Sequence, residues 1–282
     1  MIKLCAFADE AGKSIGEQIA ALKKNNISLI EIRTVDGVNV ADFTESAAAE
    51  YKRQLDDSGI KVWSVGSPLG KVDINVDWQE YAETVRRVCG LANILGTDKI
   101  RVFSFYNAYN EREKVLSYLT KMVRIGSEYG VALYHENEKD IYGDNAERNV
   151  DILDNVKGIR SVYDPANYLQ VGESAEHTLS LLHGRADYFH IKDVITETGE
   201  LVPAGYGDGR IKELADMIKG DKVLTLEPHL AVFEGYMKID NTEMKNKFVF
   251  PSNGAAFDTA VISLKNILNK IGYKETGDKF VR

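Results

Sequence analysis

Cysteine is scarce in this chain of 282 residues. Only Cys5 and Cys89 occur, far apart and in apolar segments, with neither metal-ligand nor redox spacing. They read as buried free thiols in a reducing compartment, which leaves no disulfide framework. Long hydrophobic runs are absent too, so no segment is expected to span a bilayer. The opening MIKLCAFADE turns acidic after a few apolar residues, too few for a signal-peptide core, and a cytoplasmic location is expected. Basic runs stop at the pairs Lys23-Lys24 and Arg86-Arg87, and the formal net charge is −8. An acidic chain is repelled by nucleic acid and by anionic membranes, so neither is expected as a partner. No linker, low-complexity stretch or shift in composition divides the chain, and residues 1–282 are expected to form one domain.

What is present is one repeated pattern. A short β-branched or aromatic run ends in polar residues, and an amphipathic stretch of helical period follows. The runs are IKLCAFADE, LIEIRTVDG, KVWSVGSP, KIRVFSFY, VALYHENE, GIRSVYDPAN, DYFHIKDV and KVLTLEPHL, eight in all. Helical candidates between them include IGEQIAALKKNN, ESAAAEYKRQLDDSG, WQEYAETVRRVCGLANILG and EREKVLSYLTKMVRIGSEYG. Several end on Gly or Asn-Asn, where a helix C-cap would sit. Strand starts recur at about 25–38 residues, the spacing of βα units. Eight such units predict a (β/α)8 TIM barrel of α/β class. The rival, an open doubly wound sheet, usually carries a Gly-rich turn after its first strand, and ADEAGKS has no GxGxxG. The segment from Ala231 to Asn253 is expected to be long and irregular, with a final helix, AAFDTAVISLKNILNKIG, closing the ring.

Barrel chemistry sits at the C-terminal strand ends. Strands five to eight offer Glu136 and Glu138, Asp164, His190, and Glu227 there. Carboxylate oxygens with one imidazole suit Mn²⁺, Co²⁺, Mg²⁺ or Zn²⁺ better than soft metals. Side-chain alternation sharpens the choice. If Glu136 faces inward, Tyr134 and Glu138 do so too, and His135 turns toward the helices. His190 shares its side with Tyr188 and Lys192, and Glu227 with Thr225 and His229, while Leu224 and Leu226 face the helices. Inward carboxylates in an apolar barrel are costly unless paired. A bound cation explains them, and so would ion pairing with Lys192, Arg33 or Arg101.

VYDPAN, YFHIKDV and LTLEPHL, with HEN on the fifth strand, resemble the xylose isomerase-like TIM barrels, as do FADE, IEIRTVDG and GSPLGK nearer the start. That group includes sugar (phosphate) isomerases and epimerases such as tagatose 3-epimerase, and is related to inosose dehydratase and endonuclease IV. The resemblance covers nearly the whole chain and implies one divalent metal ion held by Glu136, Asp164, His190 and Glu227. It also implies that Glu136 and Glu227 act as base and acid. The ligand of the family precedes an Asn, which favours Glu136 over Glu138. The DNA-repair branch carries a histidine shortly after the sixth-strand Asp, where this chain has Asn167, and a later Asp-x-His pair that is missing here. DNA repair is therefore not expected.

The implied function is a metal-dependent isomerase or epimerase of a small sugar, sugar phosphate or polyol, working through an enediolate. The alternative is a lyase or dehydratase, inosose dehydratase-like or carbon–glycoside cleaving, at the same site. Glu10, Arg33, Ser67, Lys71, Asn167, Lys192 and His229 are the candidates for holding the carbohydrate substrate. His177 and His183 read as surface or packing residues. The loop PAGYGDGR, Pro203 to Arg210, reads either as a phosphate site or as a plain turn. Relatives are often dimers or tetramers, so a homo-oligomer is the state to test for.

Overall fold

The computed structural model describes residues 1–230 and 250–282. Each of the eight runs becomes a strand: β1 (Ile2–Ala6), β2 (Leu29–Ile32), β3 (Lys61–Gly66), β4 (Lys99–Val102), β5 (Ala132–Glu136), β6 (Arg160–Tyr163), β7 (Tyr188–Ile191) and β8 (Lys222–Leu226). They pair in parallel and in chain order. β8 returns to β1, from Ile2 opposite Lys222 to Ala6 opposite Leu226. The sheet is thus closed, and the (β/α)8 barrel is the observed fold.

The helices that follow are α1 (Ile15–Lys24), α2 (Glu45–Asp57), α3 (Trp78–Leu95), α4 (Arg112–Glu128), α5 (Ala146–Asn155), α6 (Pro165–Gln170), α7 (Ala175–Leu182), α8 (Ile211–Asp216) and α9 (Asn253–Lys270). Local chemistry sets their ends. Ser14 and Glu17 form a reciprocal capping box at α1. Asp77 accepts from the N–H groups of Gln79 and Glu80 at α3, and Gly96 ends that helix in the left-handed conformation. No helix among the described residues is long and apolar enough to cross a membrane.

Two cores result from the alternation along each strand. Leu133, Phe189, Ile191, Leu224 and Leu226 belong to the large core shared with the helices. Cys5, Leu29, Tyr134, Val162, Tyr188 and Val223 form a separate cluster inside the barrel. Tyr134 and Tyr188 thus lie on the inner side and the two leucines on the outer side, as the alternation requires.

One feature was not foreseen. A hairpin of Lys274–Thr276 and Lys279–Val281 follows α9, and its second strand pairs antiparallel with β1, Ile2 opposite Phe280. β2 meets β1 only at Cys5 and Ala6, which leaves the start of β1 with an open edge. The hairpin covers that edge, and Asp278 fastens it by accepting from Lys3 Nζ (2.9 Å) and Ser28 Oγ (2.5 Å). Of the irregular segment expected between strand eight and the last helix, residues 231–249 lie outside the described residues.

Gly70 makes the loop after β3 possible. Phe103 N–H donates to Leu69 O and Phe105 N–H to Gly70 O, so this loop continues the pairing of β3 with β4 toward the C-terminal end. Gly70 has φ +90°, and a Cβ there would lie 2.1 Å from Phe103 O. Gly70→Ala is expected to cost about 2–4 kcal/mol, from left-handed strain and a backbone clash. Chemical denaturation measures this, and an unchanged midpoint would rule out the close approach.

Candidate metal centre and active site

Glu136 closes β5, Asp164 follows β6 and caps α6, His190 lies within β7, and Glu227 follows β8. All four are buried. One ligand atom from each lies within 4.8 Å of those of the others. The inner ring nitrogen of His190, Nδ1, is 2.8 Å from Glu136 Oε1 and 3.2 Å from Glu227 Oε2.

A basic frame surrounds this quartet. Arg101 donates to Glu136 Oε2 (2.5 Å), and Arg33 donates to Glu227 Oε1 (3.0 Å). Lys192 Nζ lies 3.0 Å from Asp164 Oδ2 and 3.9 Å from Glu227 Oε2. The ion pairing envisaged from the sequence is therefore present, but it does not balance the site. Asp9, Glu10, Glu31, Glu136, Asp164 and Glu227 are all buried here, six carboxyl groups against Arg33, Arg101 and Lys192 and the raised imidazoles of His190 and His229. Acidic excess in a dry cavity favours additional positive charge. Two oxygens carry the same message: Asp164 Oδ2 and Glu227 Oε2 are buried in ion contacts yet accept no aligned hydrogen bond.

Titration behaviour follows from the same frame. Burial pushes the Asp164 carboxyl up to about 6, with Glu227 and Glu136 adding to the effect and Lys192 opposing it. Burial also works against ionised Glu136, but the charges of His190 and Arg101 prevail and hold it down at about 2. Glu227 is likewise held well below the carboxylate range, where Lys192 and the close imidazoles of His190 and His229 outweigh burial. His190 is carried well above its ordinary value despite burial, chiefly by Glu136 and Glu31.

The remaining sequence candidates fall into distinct places. Arg33 grips Asp9 with two hydrogen bonds (2.8 and 3.0 Å) and lies 3.5 Å from Glu10. Glu10 in turn accepts from the backbone N–H of His229 (2.8 Å) and contacts its Nδ1 (2.8 Å). His229 adopts φ 48°, a strained conformation that puts both groups on one carboxylate. Arg33, Glu10 and His229, candidates for holding the substrate, are all buried beside the quartet. Ser67 donates to Arg101 O (2.6 Å) and accepts from Leu69 N–H, so its hydroxyl serves the loop. Lys71 pairs with Glu138 at 3.0 Å and lies over the Phe103 ring, which gives Glu138 a partner outside the quartet. Asn167 donates its amide to Asn137 O (2.8 Å) and keeps a buried Oδ1 that accepts no hydrogen bond.

His135 faces the helix layer, where the bare Gly143 leaves room for its ring. Burial brings its imidazole down to about 4. His177 pairs with Glu147 at the surface, and His183 contacts Leu214 O in the packing, as expected of both. The glycine-rich loop is organised from within. Asp193 accepts from the N–H groups of Gly205 (2.7 Å), Gly207 (3.1 Å) and Gly209 (2.9 Å), so donors that a phosphate would need already hold a carboxylate. A cleft of about 500 Å³ opens between the loops after β4 and β5, lined by Tyr106, Asn107, Tyr109, Lys139 and Asp140.

Three residues stand among the polar strand ends of the sequence but their roles were not assigned from it: Asp9 as the partner of Arg33, Glu31 against the outer nitrogen of His190, and Asn137. The Asn137 amide donates to Asp164 O (2.9 Å) and accepts from Asp164 N–H (3.0 Å), tying the ends of β5 and β6 together. A signal existed for Glu31, which shares strand parity with Arg33.

A sequence model described as the xylose isomerase-like TIM barrel matches residues 19–238. The chain belongs to this family. Among solved structures, the xylose isomerase-like barrel resembles D-psicose 3-epimerase with D-tagatose from Clostridium cellulolyticum H10, at TM-score 0.73 and 12% identity over 95% of this chain and 99% of that one. It also resembles the probable 3-DHS dehydratase AsbF from Bacillus anthracis, at 0.72 and 15% over 96% and 100%. A third is the IOLI protein with a bound zinc atom, at 0.70 and 18% over 95% and 99%. At these identities the likeness is one of fold. No curated protein sequence matches the chain.

Proposed function

We propose that this xylose isomerase-like barrel is a divalent-metal-dependent isomerase or epimerase of a small sugar, sugar phosphate or polyol. The convergence of Glu136, Asp164, His190 and Glu227 in a buried, acid-rich strand-end cluster carries this reading. Three carboxylates and one imidazole would hold Mn²⁺, Co²⁺, Mg²⁺ or Zn²⁺, and the similarly folded IOLI protein binds a zinc atom. When bound, such an ion polarises a substrate carbonyl with its neighbouring hydroxyl and stabilises enediolate charge.

The chain's own residues do the rest. Arg101 holds one oxygen of Glu136 and Arg33 one oxygen of Glu227, so Glu136 Oε1 and Glu227 Oε2 both face His190. Both carboxylates are held ionised at neutral pH and are the pair to remove a proton from carbon and return it. Lys192 and Asn167 Oδ1 are placed to orient hydroxyls, with His229, Arg33 and Glu10 behind Glu227. The tie of the glycine-rich loop to Asp193 favours an unphosphorylated substrate. A homo-oligomer and a cytoplasmic location complete the proposal.

A lyase or dehydratase would use the same carboxylates to remove the proton. Lys192 Nζ, between Asp164 and Glu227, keeps this second reading, as a hydrogen-bond donor to a departing hydroxyl. Metal analysis of the purified protein, then a screen of ketoses, inososes and sugar acids with Mn²⁺, tests the proposal. Products of unchanged mass support isomerisation or epimerisation, and loss of water supports dehydration. A chain that takes up no divalent cation and turns over none of these would sink both.

Metal uptake should depend on pH. His190 and Asp164 must each give up a proton to act as ligands, so affinity is expected to fall as pH drops from 8 and more steeply below about 6, by up to about tenfold per pH unit for each proton displaced. Mn²⁺ titration calorimetry between pH 5 and pH 8 measures this, and a profile that does not steepen below pH 6 would contradict the assignment of Asp164.

A further inference from the structure

Glu31 on β2 is completely buried. It borders the apolar and aromatic cluster of the barrel interior, whose members Cys5 and Tyr188 lie beside it. An apolar side chain would pack there without the cost of removing a charge from water. The carboxylate is instead fully engaged. Oε1 accepts from Tyr188 OH (2.9 Å), and Oε2 accepts from Thr225 Oγ1 (3.1 Å) and lies 3.2 Å from His190 Nε2. The two ring nitrogens of His190 are thereby divided: Nδ1 faces Glu136 and Glu227, and Nε2 faces Glu31. Phe7 meets the ring edge-on, at a centroid distance of 5.1 Å.

We infer that Glu31 is a positioning residue that holds the Nε2 proton of His190, so that Nδ1 is the nitrogen that gives up its proton to an ion in the quartet. An imidazole can flip and present either nitrogen, and the hydrogen bond made by the outer one decides which faces inward. Glu31 acts from β2, a strand that supplies none of the four quartet residues, so the tautomer is set from across the barrel. The inference rests on the metal reading given above.

The test uses the full chain labelled with ¹⁵N-histidine, titrated with Zn²⁺ for spectroscopy and Mn²⁺ for affinity. In the wild type, Zn²⁺ should shift the Nδ1 resonance of His190 and leave Nε2 protonated. Glu31→Gln should weaken Mn²⁺ binding on the order of 10- to 100-fold and lose the single-tautomer signature, with the unfolding midpoint followed in parallel. A Zn²⁺ shift at Nε2 overturns the inference, as does wild-type affinity in the variant. If Glu31→Gln does not fold, the wild-type spectrum decides alone. A wild type that takes up neither cation overturns the metal reading and this inference together, whereas tight wild-type binding with an indifferent variant overturns only the role of Glu31.

Discussion

Glu227→Gln is expected to lower turnover on the order of 10²- to 10⁴-fold on whichever substrate the screen identifies. The change is nearly isosteric. The new amide oxygen can still accept from Arg33, which lies 3.0 Å from Oε1, so the fold should survive. What disappears is a carboxylate that the frame keeps ionised in a dry site, and an amide can neither take nor return a proton. Glu136→Gln should cost a similar factor. The double variant should cost little more than either single change, because two groups that act in one proton transfer are strongly non-additive. Metal content has to be measured alongside, at saturating Mn²⁺, since each change also weakens a ligand. A Glu227→Gln chain that keeps its metal and full turnover would remove Glu227 from the chemistry.

The parts of this molecule that could be read from its sequence are those governed by short-range rules. Strand alternation turns His135 to the helix layer and Glu136 inward, and the same rule puts Tyr188, His190 and Lys192 on one side of β7. Helix C-terminal limits were equally legible, because a cap such as Gly96 is local. The quartet was legible as a set of candidates once eight βα units implied a barrel, and the family resemblance then favoured Glu136 over Glu138 and an ion over plain ion pairing. What stayed hidden depends on contacts across the barrel. Glu31 meets His190 from 159 positions away, and the register of β2 on β3 shifts between Ile30 and Glu31, so reading along one strand does not reveal its partner. The Asp193 carboxylate inside the glycine-rich loop is a side-chain-to-backbone closure 12 to 16 residues long. From the sequence, a loop with three glycines looks ready for a phosphate. The C-terminal hairpin escaped notice because its purpose is to cover an edge created by the stagger of β1 and β2, which only the closed barrel shows.

Arg33→Met should destabilise the fold by about 3–5 kcal/mol at neutral pH, the usual cost of removing one partner from a buried ion cluster. Arg33 is 4% exposed, fastens both oxygens of Asp9, and reaches Glu10 and Glu227. Methionine fills much of the volume, so the loss is electrostatic rather than one of packing. The pH dependence gives the sign. Burial already pushes Asp9 up from the ordinary carboxylate value, and the charge of Arg33 opposes that push. Without Arg33 the folded-state value rises further above the unfolded one. The folded chain then binds the proton more tightly than the unfolded chain, so stability falls as pH rises and recovers as pH drops. The gap to wild type should therefore be widest near pH 8 and narrow toward pH 5. Arg33→Lys should fall between the two, because one ammonium keeps the charge and loses the two-pronged grip on Asp9. Denaturant unfolding across that range measures all three chains. An Arg33→Met variant within about 1 kcal/mol of wild type at pH 7, the size of an exposed pair, would mean that the acid cluster needs no basic frame. The balance of charge in the site would then have to be reconsidered together with the metal it is proposed to hold.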